Sequence, residues 1–142
     1  MNFNLRILYT NIRSLSSNYN ELLVHLPNLR EHKRVTYDVV ALSETWIQEQ
    51  HLNLFPIPHY NAYMAPRIDG RRSGGVVMYV RENLQVALTE KIKIEGADAL
   101  KVVVKTSAGS RSPFSAEESI SMILLYRDCT SSKNDLLITW NK

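Results

Sequence analysis

Two polar side chains follow apolar, strand-like runs in this chain, and their types suit divalent-metal and phosphate chemistry. The run Val39–Ser43 ends directly on Glu44, and the run at residues 5–9 reaches Asn11 two positions later. Open α/β folds hold their ligands at the carboxyl ends of strands. A hard cation such as Mg²⁺ needs only one or two carboxylates beside water and substrate phosphate. The pair therefore predicts half of such a site, with a Glu44 oxygen for the metal and the Asn11 amide for a phosphate or a metal-bound water.

Each of these residues also has an ordinary structural explanation. A Glu just past a strand can lie in solvent or cap a following helix, and Asn favours turns because its side chain hydrogen-bonds the nearby backbone. Only the joint placement of Glu44 and Asn11 at two adjacent strand ends favours a site. The interpretation thus requires the two strands to be neighbours in one sheet.

The elements between and after these residues can be predicted from spacing. Leu22, Leu26 and Leu29 recur at helical intervals, and we expect an N-cap within residues 16–18 and a kink or early end at Pro27. The β-α-β order predicts parallel pairing of the flanking strands. Further strands are predicted at residues 60–65, 76–80, 84–88, 99–105 and 119–126, with a turn at Gly74-Gly75 and the start of a helix within residues 131–142.

Composition bounds the function without fixing it. The 142 residues suit one domain, the net charge of +3 permits a nucleic-acid partner, and the single Cys129 excludes an internal disulfide. No apolar run approaches the roughly 20 residues of a membrane span, and the N-terminus has no signal-peptide core. We expect a protein of the nucleus or cytoplasm that is neither secreted nor membrane-bound. Tyr9, Tyr79 and Trp46 are interpreted as packing residues.

A basic segment follows the predicted strand at residues 60–65. Arg67, Arg71 and Arg72 lie close together there and could contact a DNA backbone. A solvated basic loop explains the same residues equally well. Both interpretations stay open on the sequence alone.

Four blocks of sequence, in order, resemble the endonuclease domain of non-LTR (LINE-type) retrotransposon polyproteins. This family belongs to the endonuclease/exonuclease/phosphatase superfamily, whose deoxyribonuclease I-like fold is an α/β, four-layer αββα sandwich. The resemblance extends over nearly the whole chain. The blocks are residues 11–15 (Asn-Ile-Arg-Ser-Leu), 38–46 (Asp-Val-Val-Ala-Leu-Ser-Glu-Thr-Trp), 73–81 (Ser-Gly-Gly-Val-Val-Met-Tyr-Val-Arg) and 125–127 (Leu-Tyr-Arg).

The resemblance implies a site and a reaction. Glu44 matches the family's metal-ligand glutamate, Asn11 its active-site asparagine, and Tyr126 the tyrosine near the scissile phosphate. The implied chemistry is hydrolysis of a DNA phosphodiester by an activated water with Mg²⁺ or Mn²⁺. In an intact element this nicking serves an attached reverse transcriptase. Asp128-Cys129 stand where the family usually has a Pro-containing turn.

Three later motifs of the family do not occur in this sequence. The Gly-Asp-x-Asn motif, a later aspartate and the final Ser-Asp-His are absent, and all four histidines lie before residue 60. We therefore expect residues 1–142 to be the amino-terminal part of the domain, inactive alone and dependent on its carboxyl-terminal half. We further expect only the first sheet and its helix. Leaving about 600 Å² of apolar surface uncovered would then forgo roughly 15 kcal/mol.

Two alternatives remain beside the nuclease fragment. One is a non-catalytic remnant of the same fold that binds nucleic acid or another partner. The other is a different branch of the superfamily, such as a repair nuclease or a phosphoesterase. The retroelement branch is favoured over the latter because repair enzymes usually carry Gln where this chain has Ser43.

Overall fold

The computed structural model describes residues 5–65, 74–94, 97–105, 119–127 and 134–141. In these ranges the chain forms a mixed α/β fold with two sheets. The elements in chain order are β1 (Ile7–Asn11), α1 (Leu15–His32), β2 (Val39–Ser43), a 3₁₀ helix (Glu49–Leu54), β3 (Tyr60–Ala65), β4 (Val76–Arg81), β5 (Val86–Ile94), β6 (Ala97–Lys105), β7 (Ser119–Arg127) and β8 (Asn134–Asn141).

The first sheet has the strand order β1-β2-β4-β3. β1 and β2 run parallel, with Ile7 opposite Val39 and Asn11 opposite Ser43, which confirms the predicted pairing across the helix. β4 pairs antiparallel with both β2 and β3. The parallel pair brings the carboxyl ends of β1 and β2 to one end of the sheet.

The second sheet is an antiparallel meander in the order β5-β6-β7-β8. The expectation that the chain holds only the first sheet is therefore wrong. The predicted helix at residues 131–142 is also wrong, because Asn134–Asn141 pairs along almost the whole of β7. A buried edge of β7 would leave backbone groups without hydrogen bonds, so a strand satisfies more of them than a helix would. β5 also continues to Ile94, past its predicted end, since an edge strand tolerates the charged Glu90 and Lys91.

The two sheets pack face to face over an apolar core. Alternate residues of β2, β4, β6 and β7 enter it, and six central side chains expose no more than 2% of their surface: Val39, Ala41, Met78, Leu100, Val102 and Met122. The apolar face of the first sheet is thus covered within this chain. The predicted loss of about 15 kcal/mol from an uncovered face does not apply here.

The opposite face of the first sheet is covered by α1. Leu15 and Leu22 pack there against Val40, Leu42 and Tyr79, as the leucine spacing predicted. The layers in the described part of the chain are therefore helix, sheet, sheet. No helix in this part is both long enough and apolar enough to cross a bilayer.

The ends of α1 differ from the prediction. Its N-cap is Ser14, whose Oγ accepts a hydrogen bond from the Ser17 backbone N–H at 3.2 Å, and not a residue of 16–18. The helix also passes through Pro27 to His32, so the early end predicted there is wrong. Packing of its leucines on the sheet offsets the one backbone hydrogen bond that a proline cannot donate.

Candidate functional site

The candidate site lies where β1 and β2 end. The two turns that follow are joined by backbone hydrogen bonds, from Ile12 N–H to the Ser43 carbonyl at 3.0 Å and from Ser14 N–H to the Glu44 carbonyl at 2.9 Å. Asn11 stands opposite Ser43 in the register. Asn11 and Glu44 are thus neighbours across two adjacent strand ends, as their interpretation as a pair requires.

A third segment, at the start of β4, closes the same end of the sheet. Gly74 and Gly75 have φ angles of 94° and 85°, which a residue with a Cβ adopts only at a cost. Their carbonyl oxygens accept hydrogen bonds from the N–H groups of Trp46 (3.1 Å) and Thr45 (3.2 Å). The glycine pair is therefore a turn that opens β4, as predicted, and it also fixes the two residues after Glu44.

The second sheet reaches this end through a buried carboxylate. Asp98 of β6 is only 3% exposed, and its Oδ2 accepts a hydrogen bond from the Gly75 N–H at 2.8 Å. Tyr126 of β7 pairs with Asp98 in the register, so its backbone lies at the same end of the sandwich. The Tyr126 side chain lies outside the described part of the structure, as do Arg67, Arg71 and Arg72.

The backbone at these turns is unusual. Arg13, Ser14, Glu44 and Trp46 all have positive φ angles, of 45°, 83°, 52° and 57°. For residues other than glycine this conformation costs about 1 kcal/mol or more each, and it persists only when the surroundings enforce it. The hydrogen bonds between the turns provide that enforcement. Backbone strain of this kind is concentrated at functional sites in proteins.

Three buried side-chain oxygen atoms, at or just after the ends of β1 and β2, form no hydrogen bond in the described part of the structure. Asn11 Oδ1, Ser43 Oγ and Thr45 Oγ1 have no hydrogen-bond partner among the residues that the structure describes. Ser43 and Thr45 are 0% exposed. A buried polar atom without a partner costs about 1–3 kcal/mol. The strand ends beside Glu44 therefore carry buried oxygen atoms that can still accept a hydrogen bond from a ligand or a bound water.

The electrostatics of the site are set by Glu44 and Arg13. The Glu44 side chain is 16% exposed, and its Oε2 lies 3.9 Å from Nε of Arg13, whose own side chain is 79% exposed. A long ion pair with one solvated member is weak and is screened by salt. Arg13 can therefore leave the carboxylate when a stronger cation arrives.

The donor set suits one hard cation better than a structural metal centre. Within the described ranges there is no group of three or more His, Cys, Asp or Glu side chains that could hold a metal. Glu44 and Asn11 offer one carboxylate and one amide oxygen instead. Mg²⁺ accepts such a set because it keeps several waters and takes further oxygens from a substrate phosphate.

One aromatic prediction is wrong and two agree with the structure. Tyr79 is fully buried under α1, and Tyr9 packs against the core between the sheets. Trp46, in contrast, is 43% exposed. It belongs to the strained turn after Glu44, where the chain leaves the sheet, and its indole is not buried in the core.

Sequence reasoning missed three polar residues of this end. Ser43 and Thr45 flank Glu44 directly, and an apolar strand that ends in Ser-Glu-Thr was a usable signal for them. Asp98 is the only acid in β6, whose other inward-facing residues are apolar. An acid at an inward-facing position of a strand indicates either a structural hydrogen bond or a functional site. The hydrogen bond that Asp98 Oδ2 accepts from the Gly75 N–H shows the structural role.

No protein-family model matches the chain, and no curated protein is significantly similar to it.

Proposed function

We propose that this chain is the amino-terminal part of a metal-dependent DNA endonuclease domain of the non-LTR retrotransposon type. The proposal is carried by one observation, the placement of Asn11 beside Glu44 at the carboxyl ends of two adjacent parallel strands. The four sequence blocks that resemble this family contribute the reaction, which is hydrolysis of a DNA phosphodiester.

The layer order supports the same proposal. Helix, sheet and sheet, with β1 parallel to β2, are compatible with three successive layers of an αββα sandwich. In the proposed fold a further helical layer covers the outer face of the second sheet. The later catalytic motifs of the family, which this sequence lacks, belong to the carboxyl-terminal half in that proposal.

Each residue of the site has a proposed task. Glu44 holds Mg²⁺ or Mn²⁺ through its carboxylate, and Asn11 Oδ1 accepts a hydrogen bond from a metal-bound water or lies near the phosphate. When bound, the metal neutralises charge on the leaving oxyanion. Arg13 balances Glu44 in the absence of a cation, at 3.9 Å. Tyr126 contacts the scissile phosphate region by its resemblance to the family tyrosine.

A paramagnetic titration tests the metal site without requiring activity. Addition of Mn²⁺ to the ¹⁵N-labelled chain should broaden the amide resonances of residues 11–14 and 44–46 first. Glu44→Gln should weaken this effect about tenfold or more, since a single site carboxylate supplies most of the charge that attracts the ion. Glu49→Gln is the matched control, because Glu49 is an exposed glutamate paired with Lys91.

Two outcomes of that titration would contradict the proposal. Broadening centred elsewhere would move the metal away from the strand ends. Broadening that Glu44→Gln leaves unchanged would remove Glu44 from the metal site. A nicking assay on supercoiled plasmid with Mg²⁺ then tests activity, for which we expect none from this chain alone. Cleavage that Glu44→Ala abolishes would support the nuclease assignment and refute the expected inactivity.

A second candidate function is nucleic-acid binding without catalysis. It is favoured by the exposed indole of Trp46 and the exposed guanidinium of Arg13, which flank Glu44. An indole can stack on an unpaired base, and an arginine can contact the adjacent phosphate. The basic segment with Arg67, Arg71 and Arg72, which lies outside the described residues, would supply further phosphate contacts in this proposal.

Binding of a labelled single-stranded oligonucleotide distinguishes the two functions. If stacking on Trp46 contributes, Trp46→Ala should lower the affinity by about fivefold to a hundredfold, since one stacked base is worth about 1–3 kcal/mol. Leu54→Ala is the control, because Leu54 is 66% exposed but lies in the 3₁₀ helix. Binding that persists in EDTA favours the non-catalytic function, whereas an unchanged affinity of Trp46→Ala would exclude this surface.

A further inference from the structure

A cavity lies at the end of the first sheet opposite to Glu44. A cavity of about 390 Å³ opens between α1, the segment before β2 and the segment before β3. Tyr37, at its edge, precedes Glu44 by an extended strand, which separates the two sites by roughly 20 Å. The cavity therefore belongs to neither the strand-end turns nor the metal site proposed there.

The floor of the cavity is apolar. Leu23, Leu26 and Pro27 contribute one face of α1, and Ile57, only 5% exposed, contributes the facing loop. The volume falls in the range of small-molecule pockets, which are mostly apolar with a few placed polar groups. A floor of this kind suits the body of a small aromatic or branched aliphatic molecule.

The rim of the cavity is cationic. Arg30 of α1 and Arg81 at the end of β4 both line it, and the described lining residues include no Asp or Glu. In the described ranges neither arginine forms an ion pair with a carboxylate. Two acids adjoin lining residues in sequence: Glu82 is paired with His59 Nδ1 at 3.4 Å, and the Asp38 carboxylate accepts a hydrogen bond from the Arg6 N–H at 2.9 Å. Two arginines thus line an apolar cavity, and within the described ranges neither is held by a carboxylate.

The position of Arg81 is fixed by its surroundings. Its backbone N–H donates to the Asp38 carbonyl at 2.9 Å, and its guanidinium carbon lies 5.9 Å from the centroid of the Tyr60 ring. The Tyr60 hydroxyl donates in turn to the Tyr37 carbonyl. Burial raises the pKa of Tyr60, although Arg81 opposes this effect. The phenol therefore stays neutral and leaves the arginine charge available to a ligand.

We propose that this cavity binds a small organic anion, with its aromatic or aliphatic body on the floor and its anionic group between Arg30 and Arg81. A carboxylate and a phosphate monoester share the chemistry that the two guanidinium groups recognise, since both accept paired N–H donors. The apolar floor excludes a bare inorganic anion as the best ligand. This site is independent of the nuclease function proposed for the opposite end.

Amide chemical shifts of the ¹⁵N-labelled full chain test the proposal with four probes. Naphthalene-2-carboxylate and 2-naphthyl phosphate supply the anion with an aromatic body. Naphthalene-2-methanol removes the charge, and inorganic phosphate removes the body. We expect saturable shifts at residues 23–30 and 57–60 with at least one of the first two probes, and at least tenfold weaker binding of the other two. The ratio of the first two affinities identifies the preferred anion.

Matched arginine variants localise the charge contact. Arg30→Gln should weaken binding of the better anionic probe by about tenfold, because a charged hydrogen bond is lost. Arg34→Gln is the control, since Arg34 is exposed and does not line the cavity. If Arg30→Gln does not fold, Arg81→Gln gives the same test. Glu44→Gln should leave the affinity unchanged, so that failure of the nuclease proposal would not affect this result.

Specific outcomes would overturn the proposal. Shifts that do not saturate, or that scatter over the surface, would show that the cavity is not a site. Equal affinity for the charged and neutral naphthalenes, or no effect of Arg30→Gln, would remove the two arginines as the anion contacts.

Discussion

The two ends of the first sheet differ in how their polar groups are satisfied. At the amino end of β2, the Asp38 side chain accepts from the Arg6 N–H at 2.9 Å, and the Tyr60 hydroxyl donates to the Tyr37 carbonyl. At the carboxyl end, Asn11, Ser43 and Thr45 hold buried oxygens without a partner in the described structure. Positive φ angles also concentrate at the carboxyl end.

This difference affects how much the polar groups at each end of the sheet contribute to stability. Hydrogen bonds at the amino end stabilise the folded state in the absence of any ligand. Unpartnered oxygens and strained turns at the carboxyl end lower the stability of the folded state. In proteins such costs are common at functional sites, where ligand binding offsets them. The contrast supports the metal site proposed for the carboxyl end on physical grounds that do not depend on any family resemblance.

The largest expected effect concerns alkaline pH and the buried tyrosines. Burial raises the pKa of Tyr60 and Tyr79 above the ordinary value of about 10. Below pH 10 both folded and unfolded chains keep the phenol protons, so stability does not depend on them. Above pH 10 the unfolded chain loses these protons first, and stability should fall by up to about 1.4 kcal/mol per pH unit for the buried Tyr79 and by less for the half-exposed Tyr60.

Urea unfolding between pH 8 and pH 11.5 measures this loss. The variant Tyr60→Phe/Tyr79→Phe is the control, because it should show a shallower decline over the same range. If the free energy of unfolding declines equally in the parent chain and the double variant, deprotonation of these two phenols does not cause the loss of stability at alkaline pH.

Removing a satisfied hydroxyl should have the next largest effect. The Tyr79 hydroxyl donates to the Phe55 carbonyl at 2.7 Å from a fully buried ring. Tyr79→Phe leaves that carbonyl without its donor and should lower the free energy of unfolding by about 1–3 kcal/mol. Urea denaturation at pH 7 measures it. An unchanged midpoint would mean that this hydrogen bond adds nothing to stability.

Removing an unpartnered hydroxyl should have the opposite sign. Thr45 is 0% exposed and its Oγ1 has no hydrogen-bond partner in the described ranges. Thr45→Val keeps the shape and should raise the free energy of unfolding by about 1 kcal/mol. The same variant should weaken Mn²⁺ binding if the hydroxyl serves the site. Destabilisation by Thr45→Val would break the contrast between the two ends.

The smallest effect is expected at Arg13. Its side chain is 79% exposed and 3.9 Å from Glu44, so Arg13→Gln should change the free energy of unfolding by less than about 0.5 kcal/mol. Mn²⁺ affinity at low salt should rise by at most about threefold, since a competing cation is removed. A large loss of stability would show that the ion pair holds the strained turn in place.

Prediction from the sequence succeeded in some parts of the fold and failed in others. The β1-α1-β2 unit and the strands β3 and β4 were predictable, because apolar runs and leucine spacing determine local structure there. The strand at Asn134–Asn141 was not, because its partner is β7 and long-range pairing outweighs local propensity. The continuation of α1 past Pro27 was missed for a related reason, since packing on the sheet compensates a local break.

The candidate site shows the same division. Glu44 and Asn11 were identified from their position after apolar runs, which is a property of the sequence. The participation of Asp98 was not predictable, because its tie to Gly75 joins residues of two different sheets. The exposure of Trp46 was also unpredictable, since it depends on the direction of a strained turn.

By itself, the sequence determined which residues form strands in the first sheet and which polar side chains follow them. Those features depend on the periodicity of apolar side chains, which is visible in a short segment of sequence. Only the tertiary structure decided that a second sheet covers the first, and that polar oxygens of Asn11, Ser43 and Thr45 are buried where β1 and β2 end. The covering of one sheet by the other and the burial of side chains depend on contacts between distant segments, and no local pattern contains them.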